Sequence, residues 1–313
     1  MIFVDTLFQV LRLFIIIIFG YILGKKGLVS KEGQRQISHV LLYIAMPCAI
    51  IRGMQIPFSQ EKFAVGVSII LIMGLTYALI SLLSFGLVRL IPGSEGKQRD
   101  VMQLSMILPN VGYMGYSIIG QVLGMENIFY ATLASLFFEF TSWSVGVYLL
   151  SRNGDIKSKH NVFYKSIVNP GVLAVLTGFA LFLLRLEIPE PLKGAVEVSG
   201  AMMSPLAMVI IGVSLSRAKI REFVFNYKIY LVSFFKLLLI PFAMMLLYYA
   251  AGLRDMRIMI PTILIAMPSA SYVTIFATNL GSDETFASQI ASVCTILSMI
   301  TIPAVVGVLH YLH

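Results

Sequence analysis

Charge is scarce in this sequence. Acidic and basic residues fill only 12% of the 313 positions, whereas hydrophobic types fill 58%. Soluble domains carry about a quarter charged residues, and a water-soluble fold of this length could not cover its surface with so few. A lipid surrounding removes that difficulty, so the scarcity of charge predicts a membrane protein.

Other absences narrow the function further. The two cysteines, Cys48 and Cys294, lie inside apolar segments, which argues against a disulfide framework and predicts buried thiols. The histidines show no metal-ligand spacing, and no HExxH, GxSxG or cluster of acids is present. We therefore expect neither an enzyme nor a bound cofactor or metal. The first apolar stretch lacks the flanks of a signal peptide, so we interpret it as a retained helix.

Long apolar runs fill most of the chain. A helix that crosses a bilayer needs about 20 mainly apolar residues. We predict an all-α membrane protein with ten such helices, which would leave no room for a separate soluble domain. The predicted spans, numbered 1 to 10 in chain order, are residues 3–24, 36–56, 63–91, 101–122, 126–151, 166–188, 193–217, 226–251, 256–279 and 284–311.

Basic residues are concentrated in alternate loops. Fifteen of the 23 Lys and Arg residues follow spans 1, 3, 5 and 7. Such loops face the cytoplasm and its anionic lipid, so we expect a multi-pass protein of the cytoplasmic membrane with both termini outside. A nucleic-acid partner is not expected, because no basic stripe with interleaved aromatics is present. The residues are Lys25, Lys26, Lys31, Arg35, Arg89, Lys97, Arg99, Arg152, Lys157, Lys159, Lys165, Arg217, Lys219, Arg221 and Lys228.

The two halves of the chain resemble each other. AMPCAIIRG, LPNVGYMGY and LGMENIFYA in the first half match MSPLAMVIIG, MPSASYVTI and LGSDETFAS in the second, at offsets of 157 to 159 residues. Matched prolines are informative, because a proline inside a helix costs ~3 kcal/mol unless the freed backbone finds a use. We predict repeats at residues 1–155 and 156–313. Five spans in each make the second copy inverted, as in many secondary transporters.

Prolines near the middle of spans 4 and 9 predict broken helices. Glycines and short polar residues follow each proline and permit an unwound step. A break creates a helix N-terminus with a partial charge of roughly +0.5, which suits carboxylates and other anions. A kinked helix without a ligand is the alternative. The predicted substrate-site residues are Pro109, Asn110, Gly112, Tyr113, Pro268, Ser269, Ser271 and Tyr272.

Two charged residues lie within predicted spans, Glu139 in span 5 and Lys236 in span 8. Charges at such depth are rare and are paired or functional. One interpretation is an ion pair that joins them; another is protonation of Glu139 coupled to transport. Span 10 carries Gln289 and Thr295 among further polar residues on one face. These residues either hydrogen-bond neighbouring helices or line a sodium site, so H⁺ and Na⁺ both remain candidate coupling ions.

The motifs AMPCAIIRG, LPNVGYMGY and AMPSASYV resemble those of the auxin efflux carrier family over essentially the whole chain. Its plant members are the PIN-FORMED proteins, and its bacterial relatives include malate and malonate permeases. The resemblance implies a fold like that of the antiporter NhaA and the bile-acid sodium symporters. Spans 1, 2, 6 and 7 would form a scaffold domain that dimerises, and spans 3 to 5 and 8 to 10 a transport domain that moves like an elevator. Asn110, which follows the proline of span 4, would line the substrate site, with Ser269 at the matching position.

The chain departs from the plant members in two respects. The loop after span 5 is short, which makes auxin an unsafe choice of substrate. Span 3 lacks the interior acidic residue and lysine that the plant members use in proton coupling. The function predicted is secondary transport of a small carboxylate or dicarboxylate. The alternatives are an anion channel or uniporter, and a sodium-coupled carrier like the bile-acid symporters.

Overall fold

The computed structural model describes residues 2–155, 170–217 and 225–312, and this part of the chain is helical apart from short connections. In the first half the helices are α1 (Ile2–Lys25), α2 (Lys31–Val40), α3 (Met46–Met54), α4 (Gln60–Leu87), α5 (Gly96–Ile107), α6 (Tyr116–Val122), α7 (Ile128–Thr141) and α8 (Val147–Arg152). In the second half they are α9 (Pro170–Leu184), α10 (Leu192–Ala201), α11 (Met203–Ser216), α12 (Tyr227–Phe234), α13 (Ile240–Ala250), α14 (Met256–Ile265), α15 (Ser271–Asn279) and α16 (Glu284–Leu312).

Six helical segments are long and apolar enough to cross a membrane, counted over the described residues alone. They confirm an α-helical membrane protein. The segments are Glu32–Met54, Gln60–Leu90, Met125–Arg152, Leu192–Ser216, Tyr227–Ala250 and Glu284–Tyr311. Shorter apolar helices occupy Pro170–Leu184 and Met256–Ile265. The start of predicted span 6 at residues 166–169, and the loop residues Lys157, Lys159, Lys165, Lys219 and Arg221, lie outside the described residues.

Two helices, α2 and α4, begin earlier than the hydropathy predicts, and a polar side chain caps each of them. Helix α2 starts at Lys31 rather than at residue 36, since Ser30 Oγ accepts the N–H of Gly33 at 2.9 Å. Ser59 Oγ accepts the N–H of Lys62 at 3.1 Å at the start of α4. Each cap satisfies one of the first four N–H groups of a helix, which have no acceptor within it.

Wide π turns let two prolines sit inside long helical segments. The turn Leu41–Ala45 precedes Pro47, and the turn Phe235–Leu239 precedes Pro241. Each proline then falls in the first turn of the following helix, where its missing N–H costs little. These two segments therefore remain continuous, unlike the segments at Pro109 and Pro268.

The described residues divide into two compact units. The first unit contains residues 2–68, 112–133 and 170–217, and small residues hold its helices together. Gly20 and Gly24 of α1 lie against α11, where a Cβ added at Gly20 would stand 2.3 Å from the carbonyl oxygen of Val209. A Cβ at Gly212 of α11 would stand 2.0 Å from the carbonyl oxygen of Ile17. Backbones that approach this closely are typical of helix pairs packed through small residues in lipid.

The second unit contains residues 69–111, 134–155 and 225–312, and its interior is polar in several places. Near one end, the carboxylate of Asp100 is 1% exposed and pairs with Arg152, whose Nε lies 2.7 Å from Oδ1. Asn153 Nδ2 donates to the other carboxylate oxygen at 2.7 Å. Lys97 and Asp155 form a second ion pair nearby at 2.5 Å. These contacts fix the end of α8 against the start of α5.

Candidate functional site

Predicted span 4 is interrupted at Pro109. Helix α5 ends at Ile107, and the next helical turn begins at Val111. Leu108 is extended (φ −93°, ψ 109°), and its N–H donates back to the carbonyl oxygen of Leu104 at 2.9 Å. An extended residue is what the ring of a following proline favours. The break predicted at Pro109 is confirmed.

Predicted span 9 is interrupted at Pro268 in a similar manner. Helix α14 ends at Ile265, and α15 begins at Ser271. Ala270, immediately before α15, is extended (φ −67°, ψ 142°). The break predicted at Pro268 is confirmed as well, and both breaks belong to the second unit.

The two interrupted segments cross as a short antiparallel pair. The N–H of Asn110 donates to the carbonyl oxygen of Pro268 at 2.8 Å, and the N–H of Ala270 donates to the carbonyl oxygen of Leu108 at 2.9 Å. Unwound backbone at membrane depth must find partners within the protein. Here each broken segment supplies part of what the other has lost.

Pro109 and Ser269 face each other between these two hydrogen bonds. Residues at such a position exchange no backbone hydrogen bond with each other, so proline is tolerated there. The local twofold symmetry of the two bonds relates Asn110 to Ala270. The alignment of prolines in the sequence instead matches Asn110 with Ser269, so the crossing differs from that alignment by one residue.

Polar groups are concentrated at the crossing although it is buried. Asn110 is 5% exposed and Ser269 is 2% exposed. The hydroxyl of Ser269 has no hydrogen-bond partner within the described residues. Buried hydroxyls are nearly always satisfied, so this one indicates a place for a ligand group or water. Ser271 opens α15, whose first N–H groups lack acceptors in the helix and carry partial positive charge.

An aromatic cluster lies beside the start of α15. The Tyr272 ring packs edge-on against Phe138 at 5.5 Å and against Phe276 at 5.7 Å between centroids. Trp143 packs against Phe276 at 4.5 Å, and its Nε1 donates to the carboxylate of Glu139 at 3.3 Å. Tyr272 is therefore an aromatic wall near the break, and Glu139 is connected to that wall through Trp143.

The first unit contains the other two predicted site residues of span 4. Gly112 and Tyr113 lie on the π turn Val111–Gly115, directly after the break. A Cβ added at Gly112 would meet Met46 Sδ at 3.6 Å, an ordinary contact. Packing alone therefore does not require glycine at this position, and the role of these two residues in the site stays a prediction.

Lys236 is completely buried, and its contacts differ from the predicted ion pair. Its Nζ donates to the carbonyl oxygen of Ile265 at 3.3 Å. No ion pair joins Lys236 to Glu139 among the described residues. Within the described residues a backbone carbonyl, and not the carboxylate of Glu139, accepts a hydrogen bond from the ammonium group.

Some polar side chains of α16 form hydrogen bonds to the backbone of their own helix. Thr295 Oγ1 donates to the carbonyl oxygen of Ala291 at 2.7 Å, and Ser298 Oγ donates to that of Thr295 at 2.7 Å. Gln289 is half-buried. Thr295 and Ser298 therefore donate to backbone carbonyls of α16 and not to neighbouring helices. A sodium site on this face stays a prediction.

The sequence analysis, which relied on prolines and charges, missed three further polar residues near the breaks. Atoms of Gln103, Ser105 and Thr262 are buried and have no hydrogen-bond partner within the described residues. Gln103 and Ser105 lie on α5 before the first break, and Thr262 lies on α14 before the second. In the sequence they could be recognised as polar residues between apolar ones, shortly before the end of a helix, as in MQLSM and IPTIL.

Comparison with known proteins supports a carrier. A family model described as membrane transport protein matches residues 5–306. An uncharacterized transporter of Methanothermobacter thermautotrophicus is 24% identical over 97% of this chain and 98% of its own length. A protein of Rhizobium meliloti, named as a candidate malonate transporter, is 23% identical over 94% of this chain and 92% of its own. An uncharacterized transporter of Escherichia coli is 21% identical over 84% of both chains.

The match covers nearly the whole sequence and agrees with the resemblance carried by the proline motifs. Both the family and these relatives are transporters rather than enzymes, so the expectation of a non-enzyme is confirmed. The chain belongs to the membrane transport protein family, which is the auxin efflux carrier-like family.

Proposed function

We propose that this protein is a secondary transporter that carries a small organic anion, of the carboxylate or dicarboxylate class, across the cytoplasmic membrane. The anion binds at the crossing of the two breaks. The observation that carries this proposal is the buried antiparallel contact of residues 108–110 with residues 268–270, beside an unpartnered Ser269 hydroxyl. The malonate named for the Rhizobium relative has the same chemistry.

A carboxylate suits this crossing for electrostatic reasons. The N-terminus of α15 presents N–H groups and partial positive charge. Ser269 and Ser271 add hydroxyl donors, and Asn110 adds an amide. Half-helix N-termini at the bilayer midplane bind the anionic groups of substrates in other carriers.

The proposed architecture has ten spans in two inverted repeats, with an NhaA-like fold and both termini outside. Its support is the recurrence of proline motifs at a nearly constant offset and the location of both breaks at the matched prolines Pro109 and Pro268. A fold with two such breaks suits alternating access of the elevator kind, with a scaffold that forms a homodimer. Symport with H⁺ or Na⁺ is the proposed source of energy, with Glu139 as the candidate proton carrier.

A ligand screen on the purified protein tests the substrate class. Malonate and malate are added at two pH values, with and without Na⁺, and the melting temperature is measured. Malonamide, which is similar in size to malonate and uncharged, is the matched control. We expect the dianions to raise the melting temperature in a saturable manner, because ligands that bind the folded state stabilise it. Malonamide should have no effect.

Two results would oppose the proposal. If malonamide stabilised the protein as strongly as malonate, charge would not govern recognition and the helix N-terminus argument would fail. If no organic anion in a wider panel stabilised the protein while neutral solutes did, the substrate class would be wrong. The same screen in choline and sodium salts reports whether Na⁺ contributes to binding.

A further inference from the structure

The most unusual buried group in the second unit is the ammonium of Lys236. This side chain is 0% exposed and lies on the π turn Phe235–Leu239. Its Nζ donates to the carbonyl oxygen of Ile265 at 3.3 Å. An isolated charge in an apolar interior costs many kcal/mol unless a partner compensates it. The nature of that partner therefore indicates what the lysine does.

Ile265 is the last residue of α14, immediately before the break. The last carbonyls of a helix have no N–H donors within it, and together they carry a partial negative charge of roughly −0.5. When it is protonated, Lys236 thus places a positive charge on the negative end of a half-helix. This arrangement is favourable, and it is strongest where water is excluded.

The break itself removes the backbone donors that could serve Ile265. Pro268, three residues further on, has no N–H. The N–H of Ala270 donates to the carbonyl oxygen of Leu108 across the crossing. Lys236 therefore supplies a donor to a carbonyl that receives no N–H from the loop after α14 within the described residues.

The surroundings of the ammonium contain neutral dipoles. Ser233 Oγ, one turn earlier on α12, lies 3.3 Å from the thiol of Cys294 on α16. Within the described residues the hydrogen-bond acceptor of Lys236 is a carbonyl, and no carboxylate forms an ion pair with it. Main-chain oxygen at the C-terminal end of a half-helix is the environment in which transporters with broken helices coordinate Na⁺.

We infer that Lys236 is a tethered cation: its ammonium occupies the place at the end of α14 where a coupling ion would otherwise bind, so this site takes no Na⁺ from solution. The consequence for coupling rests on the proposed transporter function. The claim that Lys236 occupies a cation site does not depend on that function, and it can be tested without measuring transport.

Removal of the tether should create a vacant cation site. Lys236→Ala deletes three methylenes and the ammonium, a space that propylammonium matches. We expect the melting temperature of the purified variant to fall by roughly 3 °C or more. Propylammonium should restore it in a saturable manner, while propanol, which is similar in size and uncharged, should not. Replacing choline by Na⁺ should raise the melting temperature of Lys236→Ala more than that of the wild-type protein.

Lys62→Ala is the matched control. Lys62 Nζ also donates to a backbone carbonyl, that of Pro57 at 3.4 Å, but on the exposed surface. This variant should lose little stability and show no response to propylammonium. If Lys236→Ala does not fold, Lys236→Met preserves the volume without the charge, and its melting temperature should fall and become sensitive to Na⁺.

Three outcomes would overturn the inference. The first is a melting temperature that responds to Na⁺, relative to choline, equally in the wild type and in Lys236→Met. The second is a Lys236→Met variant as stable as the wild type. The third is rescue of Lys236→Ala by propanol as well as by propylammonium, which would indicate packing alone. Failure of every anion to bind in the screen above would instead contradict the transport proposal and leave the rescue result standing.

Discussion

The two compact units have different interiors. Of the 19 buried polar or charged side chains in the described residues, 15 belong to the second unit and 4 to the first. The first unit packs through glycines that bring helix backbones together, whereas the second contains a buried ion pair, a buried lysine and unpartnered hydroxyls. Polar groups in a membrane interior are costly and tend to be functional, so we expect the binding site to lie in the second unit.

The strongest test of this contrast removes a buried charge partner. Arg152→Met leaves the Asp100 carboxylate, 1% exposed, without its guanidinium. We expect a loss of about 3–5 kcal/mol in the free energy of unfolding, as for other buried pairs that lose one member. Denaturant unfolding in detergent measures it.

Arg35→Met is the control for that variant. Arg35 pairs with Glu32 at 3.7 Å, and both side chains are more than half exposed. Surface pairs contribute about 0–1 kcal/mol, so the two losses should differ severalfold. Equal losses would mean that burial in the second unit does not set the strength of its ion pair.

The first unit should instead be sensitive to added volume. Gly212→Leu forces a side chain against the backbone of α1, because even a Cβ would stand 2.0 Å from Ile17 O. Overpacking of this kind costs about 1–3 kcal/mol, occasionally more. Gly86→Leu is the control, since nothing lies within 4 Å of a Cβ at that position. If both variants unfolded alike, close backbone packing would not stabilise the first unit.

Removal of the Ser269 hydroxyl should have a smaller effect on stability than removal of a hydroxyl that has a hydrogen-bond partner. Ser269→Ala removes a buried group without a partner, so stability should stay the same or rise by up to about 1 kcal/mol. Affinity for the bound anion should fall roughly fivefold to tenfold. Ser142→Ala removes a hydroxyl that donates to Phe138 O at 2.7 Å. Ser142→Ala should lose about 1 kcal/mol in the free energy of unfolding and bind the anion with unchanged affinity. If Ser142→Ala weakened anion binding and Ser269→Ala did not, the anion would bind elsewhere.

The role of Glu139 is visible in uptake rather than in stability. Glu139→Gln retains the volume and an acceptor for Trp143 Nε1 but cannot exchange a proton. If Glu139 carries the coupled proton, a pH gradient will no longer drive anion accumulation, while exchange of anion for anion will persist. Accumulation that follows the pH gradient as in the wild type would eliminate the proton role.

The sequence predicts an α-helical membrane protein and the breaks at Pro109 and Pro268, because hydropathy and proline act locally. It misses contacts between segments that are distant in the chain. The sequence shows Lys236 as a charge within a predicted span. Its acceptor, the carbonyl of Ile265, cannot be identified from the sequence because every residue has a backbone carbonyl. Asp100 lies just before predicted span 4, and only the fold shows that Arg152 and Asn153 bind its carboxylate. The one-residue register of the crossing likewise depends on packing rather than on motif alignment.

Counterflow of malonate tests the central account most directly. Proteoliposomes loaded with unlabelled malonate should take up labelled malonate transiently and with saturation, and Ser269→Ala should require roughly fivefold to tenfold more malonate for half-maximal uptake. A carrier with an anion site at the crossing predicts this result. Flux that rises linearly with concentration, without counterflow, and that is unchanged in Ser269→Ala would contradict both the carrier mechanism and the site.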